Sequence, residues 1–74
     1  MTPAEWEAMF AEQGHACAIC RATEPRGAGW HTDHSHDSGA VRGILCHDCN
    51  VALGYYERNI LPNFAAFDAW RRKL

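Results

Sequence analysis

Two C-x-x-C pairs constrain the fold of this chain more than any other feature of its sequence. Cys17 and Cys20 form the first pair, Cys46 and Cys49 form the second, and residues 21–45 separate them. A chain of 74 residues buries little apolar surface, and chains of this size commonly need a metal ion or disulfides for stability. Four thiolates in tetrahedral geometry are a typical ligand set of a structural Zn2+ ion. The spacing therefore predicts a structural zinc site formed by all four cysteines.

A disulfide framework is the alternative for the same cysteines, and it allows three pairings. The N-terminal sequence has neither the basic region nor the apolar region of a secretory signal peptide. We therefore expect a cytoplasmic protein, in whose reducing surroundings zinc is favoured over disulfides. No apolar run approaches the roughly 18 residues of a membrane span, so no membrane association is expected.

The charge of the chain is small but unevenly distributed. The formal net charge is −2 at pH 7, whereas nucleic-acid-binding domains are usually basic. Residues 58–74, however, contain four basic residues and one acidic residue, a local net charge of +3. This basic end could contact a phosphate backbone, although the net charge alone would not suggest it.

The N-terminal segment predicts an α-helix with recognisable ends. Thr2 and Glu5 form a capping-box pattern at its start, and Gly14 can end it. Its apolar face consists of Trp6, Met9 and Phe10. This face is expected to pack into the core.

The rest of the chain predicts a β-hairpin followed by two helices. The expected elements are strands over residues 30–34 and 40–45 with a turn at 37–39, a short helix over 50–56, a connection over 59–63, and a last helix from Pro62. The apolar stripe of the last helix consists of Phe64, Phe67, Trp70 and Leu74. The order α, β, β, α, α describes a small α+β domain, stabilised by zinc, that occupies residues 1–74 as one unit.

Residues 31–37 contain three histidines and two carboxylates, a dense set of metal-binding and acid–base groups. In an extended strand, Asp33 and His34 point to opposite faces. Asn50 follows Cys49 directly, so a zinc site at the cysteines would fix the position of its amide oxygen. Asp and Asn oxygens suit Mg2+, and an imidazole beside them could accept a proton from water, as metal-assisted phosphodiester hydrolysis requires. The alternative is that Asn50 only caps the helix that follows.

The segment from Asp33 to Gly54 resembles a known family. It contains, in order and at suitable spacing, the motifs D-H-x-H, V-R-G-I-L-C-x-x-C-N and L-G. Together with the first cysteine pair, these motifs are similar to those of the recombination endonuclease VII branch of the HNH (ββα-metal) nucleases. The similarity extends over residues 4–73. It implies a ββα-metal core with flanking N- and C-terminal helices.

The resemblance also implies a role for each motif residue. The four cysteines would hold the structural zinc ion. Asp33 and Asn50 would be the protein ligands of a catalytic Mg2+ or Mn2+ ion, and His34 would be the general base that activates water. His36 would contact the scissile phosphate or the metal site, and Arg42 would bind phosphate. The product would carry a 5′-phosphate.

A family member of this kind would be a bacterial or phage endonuclease that nicks DNA or cleaves branched DNA. The chain departs from the family in carrying Arg21 where many relatives have Gly, and in being shorter than the junction-resolving members, which have additional helices for dimerisation. A homodimer, or a partner protein or domain, would therefore complete the enzyme. The alternative function, which needs only the cysteines and the basic end, is a non-catalytic zinc-stabilised module that binds nucleic acid or protein.

Overall fold

The computed structural model describes residues 1–73, and its elements follow the predicted order α, β, β, α, α. The helices and strands are α1 (Pro3–Glu12), β1 (Trp30–His34), β2 (Val41–Cys46), α2 (His47–Tyr55) and α3 (Phe64–Arg71). The two strands pair antiparallel as a single hairpin. The predicted small α+β fold is therefore confirmed.

Helix α1 packs on strand β1 through its aromatic residues. The capping box at Thr2 is present, as predicted. The indole N–H of Trp6 donates to the hydroxyl of Thr32 at 3.2 Å, and the ring centroids of Phe10 and Trp30 lie 4.9 Å apart in an edge-on arrangement. Aromatic pairs of this geometry stabilise beyond the apolar area that they bury. Trp6 and Phe10 of the predicted apolar face thus contact the hairpin, but no residue of α1 is buried, so the predicted packing of this face into the core is only partial.

Gln13, which follows α1, joins that helix to strand β2. Its side-chain amide N–H groups donate to the carbonyls of Ala16 and Ile44, both at 2.9 Å. Its amide oxygen accepts from the backbone N–H of Ile44 at 2.8 Å. The side chain therefore satisfies both backbone groups of a buried strand residue, as a neighbouring strand would do.

We expect Gln13→Ala to lower the free energy of unfolding of the zinc-loaded chain by about 1–3 kcal/mol, because a buried N–H loses its partner. Urea denaturation followed by circular dichroism measures the change. Gln13→Met is the matched control, since it keeps the length of the side chain and removes only its polar atoms. Wild-type stability of Gln13→Met would show that these hydrogen bonds do not stabilise the fold.

The hairpin contains a β-bulge. Asp33 lies opposite Gly43, but the next residue, His34, lies opposite Val41, so Arg42 is an additional residue in β2. A bulge bends its strand and redirects the side chains around it. Strand β1 has the predicted bounds, and β2 begins and ends one residue later than predicted. The bulge itself is not visible in the sequence pattern.

Helix α2 begins earlier than the predicted range 50–56, because a cysteine provides its N-cap. The sulfur of Cys46 accepts a hydrogen bond from the backbone N–H of Cys49 at 3.5 Å, and the helix starts at His47. Helix N-caps are usually oxygen-bearing side chains, so the sequence pattern did not indicate this start. It follows that Asn50 is not the N-cap, and the interpretation of Asn50 as only a capping residue is wrong.

A helical path links α2 to α3 where the sequence predicts a connection. Tyr56–Ile60 form a π-helical turn and Leu61–Asn63 form a 3-10 turn. Pro62 lies at the start of the 3-10 turn, where its missing N–H leaves no hydrogen bond unmade, and α3 begins at Phe64. The prediction of a connection over residues 59–63 is therefore wrong, as is the start of the last helix at Pro62.

The apolar stripe of α3 is exposed. Phe64, Phe67 and Trp70 are 55%, 45% and 73% exposed, and α3 packs chiefly against the 3-10 turn that precedes it. Leu74, the fourth predicted member of the stripe, lies outside the described residues. The periodicity correctly predicts a helix here, but a helical period does not show which surface, if any, covers the apolar face.

The buried core is small and is built around the cysteines. Its buried apolar residues are Ala16, Cys17, Ile44, Leu45, Cys46 and Cys49. Trp30 and Leu53 pack against the cluster at its edge. Half of these six buried apolar residues are thus cysteines of the two pairs, and stability depends on what holds them together.

Arg21 adopts the left-handed backbone conformation, with φ at 66°. Glycine favours this conformation, which fits the glycine that the family resemblance leads us to expect at this position. In this chain the guanidinium of Arg21 donates to the carbonyl of Gln13 at 2.7 Å, and its backbone N–H donates to the carbonyl of Cys17 at 3.0 Å. The departure from the family pattern is therefore accommodated within the cysteine loop.

Candidate active site and metal centre

The four cysteines converge into one cluster. Their sulfur atoms all lie within 4.8 Å of one another, and the sulfurs of Cys20 and Cys46 are 3.8 Å apart. A tetrahedron with Zn–S bonds of about 2.3 Å has sulfur–sulfur distances of about 3.8 Å. All four cysteines are free thiols, so the structure does not contain the alternative disulfide framework. Both the donor set and its spacing fit a structural zinc ion.

Three parts of the chain provide these ligands. Cys17 and Cys20 lie in the loop after α1, Cys46 ends strand β2, and Cys49 lies in the first turn of α2. An ion bound to all four would connect the loop, the hairpin and the helix. The cluster would thereby fix the first turns of α2 relative to β1.

Electrostatics favour a cation in this cluster. The backbone N–H of Cys49, with help from Arg26, lowers the pKa of Cys46 to about 6 despite its desolvation. Burial and the neighbouring sulfurs raise the pKa of Cys49 to about 12. Four adjacent thiolates repel one another unless a cation lies between them. The guanidinium of Arg26 lies at the edge of the cluster, 3.7 Å from the sulfur of Cys49.

A polar pocket lies between the hairpin and α2. Its volume is about 370 Å3, and it is lined by Asp33, His36, Asn50, Val51, Gly54, Glu57 and Arg58. Three residues that the sequence analysis singled out, Asp33, His36 and Asn50, are thus brought together in one pocket wall.

The helical side of this pocket follows from helix periodicity. Asn50, Gly54 and Glu57 are spaced at i, i+4 and i+7, so they share one face of α2 and the π-helical turn after it. Gly54 has no side chain and leaves the middle of that face open. Asn50 is adjacent to Cys49, so the cysteine cluster holds it at the inner end of the face.

His34 has a different environment from the other predicted site residues. It is the last residue of β1, it is exposed, and it is not among the residues that line the pocket. Asp33, its neighbour, has a side chain that is only 13% exposed. The alternation of side chains along the strand separates the two residues, as the sequence predicts.

Arg42 is engaged by two carboxylates. Its Nε and Nη2 donate to the two carboxylate oxygens of Asp33 at 2.7 and 3.1 Å. Its Nη1 and Nη2 donate to those of Glu57 at 3.3 and 3.2 Å. Hydrogen bonds to Asp33 and then Glu57 raise the pKa of Arg42, and Arg42 lowers the pKa of Glu57. The predicted phosphate ligand is therefore paired with protein carboxylates in this structure.

Comparison with known proteins identifies the family. The sequence profile of recombination endonuclease VII matches residues 1–68. The chain belongs to the recombination endonuclease VII family. This endonuclease VII homologue is 38% identical over 61 residues to the Gene 59 protein of Mycobacterium phage D29, covering 82% of the chain and 37% of that protein. It is 36% identical over 56 residues to the Gene 59 protein of Mycobacterium phage L5, covering 74% of the chain and 34% of that protein.

The endonuclease VII homologue thus spans about a third of the length of these curated relatives. No solved structure matches it significantly. Membership of the family indicates a nuclease role, and both relatives are phage proteins. Within residues 1–73, none of its helices is long and apolar enough to cross a membrane.

The sequence analysis did not place the charged residues Glu57 and Arg58 at the site, although both line the pocket. Glu57 lies two helical turns after Asn50, and this spacing was available in the sequence. The signal was hidden because the predicted short helix ended at residue 56, whereas the helical path continues. A continuous helix prediction would have placed both residues beside Asn50.

Proposed function

We propose that this chain is a metal-dependent endonuclease that hydrolyses phosphodiester bonds in DNA, by nicking or by cleavage of branched structures. One observation carries the proposal: Asp33 and His36, at the end of β1 and just after it, line one pocket with Asn50 of α2, beside a cysteine cluster that fits zinc. Membership of the endonuclease VII family supports the same chemistry.

In this proposal, Asp33 and Asn50 hold a catalytic Mg2+ or Mn2+ ion. A carboxylate and an amide oxygen are hard donors that such ions prefer. Two protein ligands leave positions for water and for a phosphate oxygen. When bound, the ion supplies a Lewis acid that stabilises the charge developing on the phosphate.

His34 acts as the general base and accepts a proton from the attacking water. Its exposure at the end of β1 gives water access to the imidazole, and a neutral histidine accepts protons near pH 7. His36 donates a hydrogen bond to the scissile phosphate from the pocket wall. Arg42 binds phosphate from the second strand of the same hairpin.

Binding of DNA depends on local positive groups, since the net charge of the chain is −2. Arg58 lies at the pocket, and Arg71 and Arg72 lie at the end of α3. Such a small set favours weak duplex binding, aided by a structured DNA substrate or a second binding unit. A homodimer or a partner protein would provide that unit.

A cleavage assay tests the proposed function. Linear, nicked, branched and single-stranded DNA are incubated with the zinc-loaded protein and Mg2+ or Mn2+. We expect cleavage of at least one duplex or branched substrate by the wild type, and none by Asn50→Ala. Asn59→Ala, which alters an asparagine outside the pocket, is the matched control and should cleave normally. Cleavage by Asn50→Ala at the wild-type rate would contradict the assignment of the metal site.

The alternative is a non-catalytic zinc-stabilised module that binds nucleic acid or protein. The exposed apolar stripe of α3 favours it, because such a face suits a protein partner. Under this alternative, DNA or protein binds equally well to the wild type and to variants of Asp33 and Asn50, and DNA is not cleaved with any divalent ion.

A further inference from the structure

The guanidinium of Arg42 is paired with the carboxylate of Asp33, which the proposed function assigns to a divalent ion. Both oxygens of Asp33 accept hydrogen bonds from this guanidinium, at 2.7 and 3.1 Å. The adjacent edge of the same guanidinium, which shares Nη2 with the first, contacts Glu57. The carboxylates are mostly shielded from solvent, with side-chain exposures of 13% for Asp33 and 27% for Glu57. A cation thus lies between two carboxylates at the pocket.

We propose that Arg42 and the divalent ion compete for Asp33, and that Glu57 retains the displaced guanidinium beside the pocket. The proposal rests on the proposed function, since it concerns the same metal site. Arg42 acts here as a positioning residue: it keeps Asp33 in place before the ion binds, and it binds phosphate afterwards.

The geometry of the guanidinium explains how both roles are possible. Its Nε–Nη2 edge faces Asp33, and its Nη1–Nη2 edge faces Glu57. When the hydrogen bonds to Asp33 break, the Nε–Nη2 edge becomes free while the Nη1–Nη2 edge stays paired with Glu57. A free guanidinium edge presents two parallel donors that match two phosphate oxygens. Binding of the ion would thereby expose a phosphate-binding edge at the pocket.

Repulsion between the carboxylates of Asp33 and Glu57 explains why a cation between them is needed before the divalent ion binds. Asp33 and Glu57 lie within reach of one guanidinium, and without a cation between them their carboxylates would repel one another. Arg42 holds them together and lowers the pKa of Glu57. The β-bulge at Arg42 is the local feature that distinguishes its position from a regular strand position.

Titration of Mn2+ into the zinc-loaded protein without DNA, followed by calorimetry, tests the competition. We expect Arg42→Gln to bind Mn2+ several-fold more tightly, about fivefold or more, because Asp33 has lost its competitor. Arg58→Gln is the matched control: it removes the same charge from the same pocket but leaves the pair with Asp33 intact, and it should change affinity by less than about twofold. Zinc content and circular dichroism verify that each variant is folded.

An Mn2+ affinity of Arg42→Gln that is unchanged or weaker would overturn the proposal. An equal gain in Arg58→Gln would also overturn it, because the effect would then be general electrostatics. If Arg42→Gln does not fold, Arg42→Lys replaces it. Lysine keeps the charge but cannot pair with two oxygens of Asp33 in parallel, so a smaller gain in affinity is expected, and no gain contradicts the proposal.

A second variant pair tests the role of Glu57. Glu57→Gln should weaken Mn2+ binding, because Asp33 is then the only partner of Arg42. In an Arg42→Gln background the same change should have little further effect. A loss of equal size in both backgrounds would show that Glu57 acts on the ion directly, and the positioning role would fail. These experiments measure Mn2+ affinity alone. Absence of DNA cleavage would therefore reject the proposed function but would not test whether Arg42 and the ion compete for Asp33.

Discussion

Removal of zinc is expected to unfold this chain. Half of the buried apolar residues are cysteines, and the rest of the core is mainly Ile44 and Leu45. Without an ion, the four sulfurs, three of them on buried cysteines, would be a cluster of thiols and thiolates, and the loop after α1 would lose its link to α2. Structural zinc provides about 10–16 kcal/mol of apparent binding free energy in small zinc domains, which is comparable to the whole net stability of a typical domain, about 5–15 kcal/mol.

A chelator titration measures this effect. Circular dichroism should show loss of the cooperative unfolding transition as zinc is removed, and readdition of zinc should restore it. Four thiols per chain should become reactive on chelation, whereas a disulfide framework would release none. Cys46→Ser should be unfolded under conditions in which Ala18→Ser, an exposed change in the first cysteine segment, is folded and binds zinc. A chelated chain that keeps a cooperative transition would contradict a structural role for the metal.

His34→Ala is expected to reduce DNA cleavage by about 10²–10⁴-fold, the usual contribution of a general base. The fold should be unaffected, because His34 is exposed at the end of β1 and lies outside the core. The reduction should therefore occur with normal zinc content and normal thermal stability. Single-turnover cleavage of a labelled DNA substrate in Mg2+ measures it.

Two other histidines make this test specific. His15→Ala removes an exposed imidazole away from the pocket and should cleave at the wild-type rate. His36→Ala removes the imidazole that lines the pocket and should be slower because a phosphate contact is lost. Cleavage by His34→Ala at the wild-type rate would refute the assignment of the base. A much larger loss of cleavage rate in His36→Ala than in His34→Ala would assign proton transfer to His36 instead.

Local sequence patterns predicted the elements that depend on neighbouring residues. The capping box of α1, the bounds of β1 and the turn to β2 were predicted because each depends on residues close in sequence. The convergence of the four cysteines was also predictable, because a paired spacing is itself a constraint on geometry.

Features that depend on distant or unusual partners were not predictable. Cys46 caps α2 with a sulfur, and the helical path through Tyr56–Ile60 contains a π-helical turn, which no local propensity indicates. The early start and late end of this helical segment changed which residues share a face with Asn50. Glu57 entered the pocket for that reason.

The cysteine cluster, the α+β order and the set of polar residues around Asp33 were predictable from the sequence, because residue spacing and local propensity carry this information. Which of these residues contact one another depends on the tertiary structure. The bulge at Arg42 and the continuous helix after Asn50 bring Asp33, Arg42 and Glu57 into one ion-pair network. In the same structure His34 is exposed and the apolar stripe of α3 is uncovered. Such pairings depend on how a strand and a helix are placed relative to each other. In this chain the cysteine cluster controls that placement, and no local sequence pattern does.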